Sequence, residues 1–533
     1  GLCAATLKYP EIVRATSDSL RSTPTEWTAT FTVEQSFVNN GDLSFWTRLY
    51  CYQGNCSYPG PTIEVVPGDN FTLTLTNKLG NNPPNEDTTR NSMHSPNSTN
   101  LHTHGLHVDP QVDTVFLIAG PGETITFPYK IPSNHAPGLF WYHDHTHGGS
   151  ALRIMGGMVG AIIVRPTGSE GLPTSISDAN EYVLVLTAMN VGQHKDSNGY
   201  VSQACSNSAT CDPDTQPPGC TEDNYASSTT FSPFRQYSYR ELSAATGSTM
   251  NSIVNLTNIG NSIISGDWVY NDNEMFTTFT NGQYEPQIAN ILENSVITLR
   301  IIHASGGEEL KLQYEGDDCE LQIIAWDGVY LNKTLSKSSS TNSDDIIYLM
   351  SGARVDIQFK CSSGDGIIKA SNQYSSQNII TLKTISQSSQ SNDIDEEVNV
   401  IYNFTTSNEL SKIIRPYYLN DLTDDSMVEV DVYYSSHVSQ GNRPTSECGG
   451  SAMFWWGAGS DCSSVAPWGP DQPSSTSEEC PFGFFQGERG DNITHYNQAN
   501  KLVTYLGDGS TDGEVNEWSL YGLGNSLHPL HLH

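Results

Sequence analysis

The chain has 533 residues, too many for one hydrophobic core, and that length predicts roughly three domains of about 150–200 residues each. Its 59 acidic residues against 25 basic ones give a net charge of −34, which has the wrong sign for a nucleic-acid binder and repels anionic lipid. Charged residues make up only 16% and apolar ones 36%, so short strands and polar turns are expected rather than long helices.

The first block runs to about residue 170. Strand-like runs at 27–33, 62–66, 70–76, 123–129 and 158–164 are separated by Pro-Gly steps at Pro59, Pro67, Pro121 and Pro137. This pattern predicts a sandwich of about eight strands. A second block, residues 171–385, opens with the apolar run 182–187. A polar insertion near 195–250 carries Cys205, Cys211 and Cys220. Strand-like runs resume at 296–302, 321–325 and 355–359. A polar linker over 386–397 leads to a third block, 398–533, with a second insertion at 441–480. The fold class expected is all-β, as three consecutive sandwiches. No apolar run reaches the roughly 18–20 residues of a membrane span. The partners expected are therefore small molecules, with no nucleic acid and no membrane segment, and the chain is expected to act as a monomer.

The 11 cysteines include no C-x-x-C pair, which argues against a zinc ribbon or a thioredoxin-type site. Cys51 and Cys56 are close enough to pair across a tight loop. Seven N-x-S/T sequons, headed by Asn55, Asn70, Asn97, Asn255, Asn332, Asn403 and Asn492, together with dispersed cysteines predict a secreted, disulfide-bonded glycoprotein.

The chemistry lies in the histidines. Fifteen in 533 residues should give an H-x-H pair by chance less than once. The sequence has His102-Thr-His104, His143-Asp-His145 and His531-Leu-His533, with His528 just before the last. In a strand, residues i and i+2 share a face, so each pair presents two imidazoles side by side. Neutral imidazole suits copper, zinc, iron and nickel. Two pairs in the first block and one at the end of the third predict a single metal cluster shared by the terminal domains. His107 and His147, a few residues beyond their pairs, are read as non-ligands. His94, His135, His194, His303, His437 and His495 are read as ordinary surface or core residues. Asp144, between two candidate ligands, projects away from their face. It either orients a ligand from behind or is a hydrogen-bonded surface residue.

The segments Asn100-Leu-His-Thr-His-Gly105, Gly138-Leu-Phe-Trp-Tyr-His-Asp-His-Thr-His-Gly148 and His528-Pro-Leu-His-Leu-His533 resemble three of the four copper-binding motifs of the multicopper oxidases, in order. The resemblance is to the laccase-like members and implies three cupredoxin-like Greek-key domains. It implies four copper ions: type 2 copper at His102 and His531, the type 3 pair at His104, His143, His145 and His533, and type 1 copper at His528. Asp113 resembles a position near the type 2 copper and is expected to donate protons or anchor a ligand. The fourth motif, His-Cys-His, is absent, so the sequence is expected to be truncated before it. The resemblance implies oxidation of phenolic or other small organic reductants with reduction of O2 to water. A ferroxidase or other metal-ion oxidase is the first alternative. A non-catalytic cupredoxin-like binding protein is the second.

Overall fold

Alternation of apolar and polar residues builds the outer strands of the first sandwich. In Asn70–Asn77, Phe71, Leu73 and Leu75 face inward while Thr72, Thr74 and Thr76 face out. Trp27, Ala29, Phe31 and Val33 do the same in Glu26–Asn40. The computed structural model describes residues 6–16, 23–40, 43–82, 95, 97–146, 149–167, 172–177, 180–189, 192–194, 234–235, 268–269, 277–305, 309–316, 318–339, 342–371, 376–386, 402–416, 427–435, 483–486 and 515–522.

Ten strands of the first sandwich are among the described residues: β1 (Ile12–Val13), β2 (Glu26–Asn40), β3 (Leu43–Tyr52), β4 (Asn55–Cys56), β5 (Thr62–Val65), β6 (Asn70–Asn77), β7 (His102–His104), β8 (Thr124–Lys130), β9 (Gly138–His143) and β10 (Val159–Val164). They form two five-stranded sheets, ordered β1-β5-β10-β9-β7 and β4-β3-β2-β6-β8. The sequence predicted about eight strands; the two shortest, β1 and β4, carry too little pattern to read. Cys51 and Cys56 form the expected disulfide across the β3–β4 turn.

The second sandwich holds β11 (Glu181–Met189), the short strands β12 (Gly192–His194), β13 (Phe234–Arg235) and β14 (Trp268–Val269), then β15 (Thr277–Thr280), β16 (Gln287–Leu292), β17 (Ile297–His303), β18 (Leu310–Glu315), β19 (Cys319–Trp326), β20 (Val329–Lys337), β21 (Ile347–Leu349), β22 (Arg354–Cys361), β23 (Gly366–Ser371) and β24 (Ser376–Ile385). Its main sheets run β15-β11-β17-β22-β19-β20 and β16-β24-β23-β18-β21. A disulfide that the spacing did not suggest joins Cys319 to Cys361 on neighbouring strands. Residues 402–416 also pack here, with Leu410 and Ile413 against Ile324 and Tyr330.

Both sandwiches belong to one compact unit, which extends to Arg415. A second unit takes in 416–533 with the short segments 89–92 and 249–254; in it β25 (Met427–Ser435) pairs parallel with β27 (Val515–Gly522) and antiparallel with β26 (Gly483–Gln486). Among the described residues the chain is thus almost wholly β, in paired sheets, as the all-β class expected. No helix among the described residues is long and apolar enough to cross a membrane.

Strands β9 and β10 read GLFWYH and VGAIIV, continuous apolar runs without alternation, and every residue in both is buried. The reason is that both faces are covered. Phe140, Tyr142 and Ile162 point into the first core, while Leu139, Trp141, Val159, Ala161 and Ile163 meet Val185, Ile302 and Ala304 of the second sandwich. A charged chain crosses the same junction. Glu64 on β5 accepts from Arg14 and Arg165, Arg165 also reaches Glu181 on β11, and Arg300 on β17 links Glu181 to Asp356. Burial pushes the Asp356 carboxyl up to about 6 despite Arg300. Glu181, although also raised by burial, is held down at about 2 by Arg300 and Arg165.

Two of the histidines read as ordinary are buried in this unit. Burial lowers His135 to about 4, with its Nδ1 on the Ala136 carbonyl, and lowers His303 to about 4, with Nδ1 on the Leu349 carbonyl and Nε2 on the Ser305 hydroxyl. Both values lie below the ordinary 6.5, so the unfolded chain takes up protons that the folded chain refuses. Stability is therefore lost as pH falls from 6.5 towards 4, by about 2 kcal/mol per histidine at pH 5. Asp356 works the other way, because its folded value is raised, and returns about 1 kcal/mol over the same range. Denaturant unfolding of copper-free protein is expected to give a free energy a few kcal/mol lower at pH 5 than at pH 7. Equal or greater stability at pH 5 contradicts this account.

Candidate copper site

The two H-x-H segments of the first sandwich come together because β7 pairs antiparallel with β9, His102 opposite His143 and His104 opposite Trp141. The ring centroids of His102 and His143 are 5.4 Å apart, those of His102 and His145 5.3 Å, and those of His143 with His104 and His145 both 5.6 Å. His102 and His143 are buried; His104 and His145 are half-buried. His104 Nδ1 lies 3.4 Å from His143 Nε2. That is the spacing of two donors each about 2 Å from a shared ion. His143 Nδ1 is 2.9 Å from the Asp144 carbonyl, which fixes the tautomer that leaves Nε2 its lone pair.

The donor set fits copper, for which imidazole is a good ligand. Among the described residues, no three imidazoles bring their nitrogens within 4.8 Å of one another. These four side chains therefore form half-sites rather than one closed mononuclear site. The three donors that do approach this closely, Glu34, Cys51 and Cys56, include two sulfurs already joined in a disulfide. His528, His531 and His533 lie outside the described residues.

His102 and His104 share one strand, β7, whereas His143 and His145 do not share one. Strand β9 ends at His143, so no ladder holds His145. Asp144 replaces it. Its carboxylate is wholly buried, which removes the surface alternative, and it accepts from Thr99 Oγ1 at 2.8 Å, Asn100 N at 3.1 Å and Thr146 N at 3.1 Å. It pairs with Arg153 Nε at 2.8 Å, both side chains having zero exposure. Arg153 sits on α1 (Ser150–Met155) and also donates to the Thr146 carbonyl. Asn100 Oδ1 accepts from the His145 backbone N–H at 2.7 Å. The residues just before the first ligand pair are thus tied to those within the second. Sequence reading did not single out Arg153; its signal was one arginine in the apolar run Ala151-Leu-Arg-Ile-Met155.

Asp113 stands behind His102. One carboxylate oxygen is 3.0 Å from His102 Nδ1. The carboxylate also accepts from the Thr103 backbone at 3.0 Å, from Thr103 Oγ1 at 2.8 Å and from the Tyr129 hydroxyl at 3.0 Å. Burial first, and then the Asp113 charge, push the Tyr129 phenol well above its ordinary range, so it stays a donor. His107 and His135 make a separate pair in which His135 Nε2 accepts from the His107 backbone N–H at 3.1 Å. That nitrogen is occupied, in keeping with a non-ligand role.

Residues 88–169, which include both histidine pairs, match the family model of multicopper oxidases. This segment of the chain is thus similar to the multicopper oxidases. Curated members to which it is similar include multicopper oxidase LPR1 homolog 1 of Oryza sativa, 29% identical over 157 residues, covering 27% of this chain and 27% of that protein. A laccase of Bacillus subtilis is 26% identical over 171 residues, covering 28% and 31%. An iron transport multicopper oxidase FET3 of Gibberella zeae is 29% identical over 188 residues, covering 34% and 24%. The matched part spans only about a quarter to a third of these relatives. Among solved structures, the multicopper oxidase McoA of Aquifex aeolicus aligns with 82% of this chain and 73% of its own, at 14% identity and a TM-score of 0.48.

Proposed function

We propose that this chain is a copper-dependent oxidoreductase that couples oxidation of a small organic reductant to reduction of dioxygen to water, one O2 taking four electrons and four protons to give two waters. The observation that carries the reading is the meeting of buried His102 and His143 with half-buried His104 and His145, brought together by the β7–β9 pairing, with His104 and His143 offering nitrogens 3.4 Å apart. Copper held there supplies the one-electron steps that dioxygen reduction needs.

The protein's own part is to hold these imidazoles in the right tautomer and direction. Asp144 orients His143 through its carbonyl and fixes the neighbouring backbone through its carboxylate. Asp113 holds Nδ1 of His102, leaving Nε2 as the donor atom. With Thr103 and Tyr129 already donating to it, Asp113 acts through His102 as a positioning residue. That is the anchor role rather than proton donation. An oxidising, secretory compartment agrees with the two disulfides. Of the sequon asparagines, Asn55, Asn70, Asn332 and Asn403 are exposed and available for glycosylation. Asn97 is not: it is buried, and its side-chain oxygen accepts from Arg48.

Titration of the full chain with Cu(II) is expected to load copper in a histidine-dependent way, and the pair of substitutions His104→Ala and His143→Ala is expected to abolish binding at one half-site. An unchanged copper content in that double variant defeats the reading. Relatives named laccase and iron transport oxidase both match, and the strongly acidic balance also suits a metal-ion reductant. Oxygen uptake by copper-loaded, full-length protein should therefore be recorded with a phenol and with Fe2+ side by side. Uptake with the phenol is expected; uptake with Fe2+ alone replaces the organic reductant with a metal ion.

A further inference from the structure

The first sandwich supplies the imidazoles, but one of them is braced from the second. His104 lies between two walls. On one side is the Trp141 ring, centroid to centroid 4.8 Å at 30°. On the other is Gly352, in the turn between β21 and β22. A Cβ at Gly352 would lie 3.0 Å from His104 Cε1 and 3.3 Å from Nε2, so the imidazole rests on the bare backbone of this turn. Gly352 has φ +85°, and its amide donates to the His303 carbonyl at 2.8 Å.

Arg354, two residues on, is buried, and its guanidinium joins three backbone segments. Nη1 donates to the Gly352 carbonyl at 3.0 Å, Nη2 to the Asp327 carbonyl at 2.9 Å, and Nε reaches the Leu139 carbonyl of β9 at 3.5 Å. Nη2 also packs on Gly105, the residue after His104, so closely that a Cβ there would be 2.5 Å away. One planar fork thus touches the turn that backs the His104 ring, the backbone that follows His104, and the strand that ends in His143. Lysine, with a single ammonium, cannot span three such acceptors.

We propose that Arg354 is a positioning residue for the His104–His143 copper half-site, holding the His104 imidazole in its copper-binding orientation through the backbones of Gly352 and Gly105. This rests on the copper reading above. Support of a ligand from behind commonly changes metal affinity by about 10- to 100-fold.

The test uses the full chain, Cu(II) alone as the probe, equilibrium dialysis for affinity and electron paramagnetic resonance for geometry. Arg354→Met and Arg354→Lys are each expected to weaken copper binding at this half-site about 10-fold or more, and to alter the copper spectrum, while circular dichroism shows a folded β protein. Gly352→Ala, which pushes on the His104 ring and leaves Arg354 in place, is expected to alter the spectrum in the same half-site. If Arg354→Met does not fold, Arg354→Lys and Gly352→Ala decide the matter. Folded variants that bind copper with the parent's affinity and spectrum overturn the proposal. His104→Ala separates this from failure of the copper reading: if that substitution also leaves copper binding unchanged, the half-site itself is wrong.

Discussion

Replacing Asp144 with alanine is expected to destabilise the protein by about 3–5 kcal/mol and to lower its copper content. The cost comes from what the substitution leaves behind. Arg153 has no exposure, and its Nε faces Asp144 at 2.8 Å. Without the carboxylate, a buried guanidinium loses its counter-charge, and the Asn100 amide and Thr99 hydroxyl lose an acceptor. Those two residues lead into Leu101 and His102, so the damage reaches the ligands. The double variant Asp144→Ala with Arg153→Met is expected to recover part of the stability, because it removes the stranded charge, but not the copper content. Urea unfolding and metal analysis on the two variants and the parent measure both effects. A loss below about 1 kcal/mol for the single variant means that the pair is no more than a surface-grade interaction, and the account of the site fails with it.

Gly138→Ala is expected to cost about 3 kcal/mol or more, as overpacking does when neither neighbour can move. Gly138 opens β9, and a Cβ there would fall 2.0 Å from the Gly328 carbonyl oxygen and 2.9 Å from its carbonyl carbon. Both obstacles are backbone. Gly328 cannot easily retreat, since the preceding Asp327 carbonyl is held by Arg354. The first and second sandwiches must then separate, or β9 must shift, and His143 lies at its other end. Gly122→Ala is the control. It has φ +83° but nothing within 4 Å of an added Cβ, so only backbone strain of about 1 kcal/mol is expected. Thermal unfolding of the two variants compares them directly. Equal losses would remove the case for a packed junction at Gly138.

Much of this architecture was legible in one dimension. The runs at 70–76, 182–187 and 296–302 became β6, β11 and β17 with ends moved by a residue or two, because alternation or continuous apolarity is a local property. The first histidine pair could be read in the same way, since the pleat of a strand puts His102 and His104 on one face. The second pair could not be derived from the pleat, because β9 stops at His143 and a buried carboxylate holds the rest. Nothing local distinguishes a buried Asp144 from an exposed one. What differs is the company of Thr99, Asn100 and Arg153, which arrive from elsewhere in the chain.

Sequence by itself determined the β class and the candidate ligands, since strand period and H-x-H spacing are fixed by covalent geometry and side-chain chemistry; copper in particular was implied by the resemblance of the histidine segments to the multicopper oxidases. Tertiary structure alone decided that β9 and β10 are buried on both faces, that Asp113 serves His102, and that Gly352 and Arg354 of another sandwich back His104. Those facts depend on residues from about ten to a few hundred positions apart, and only the tertiary fold brings them within a hydrogen bond's reach.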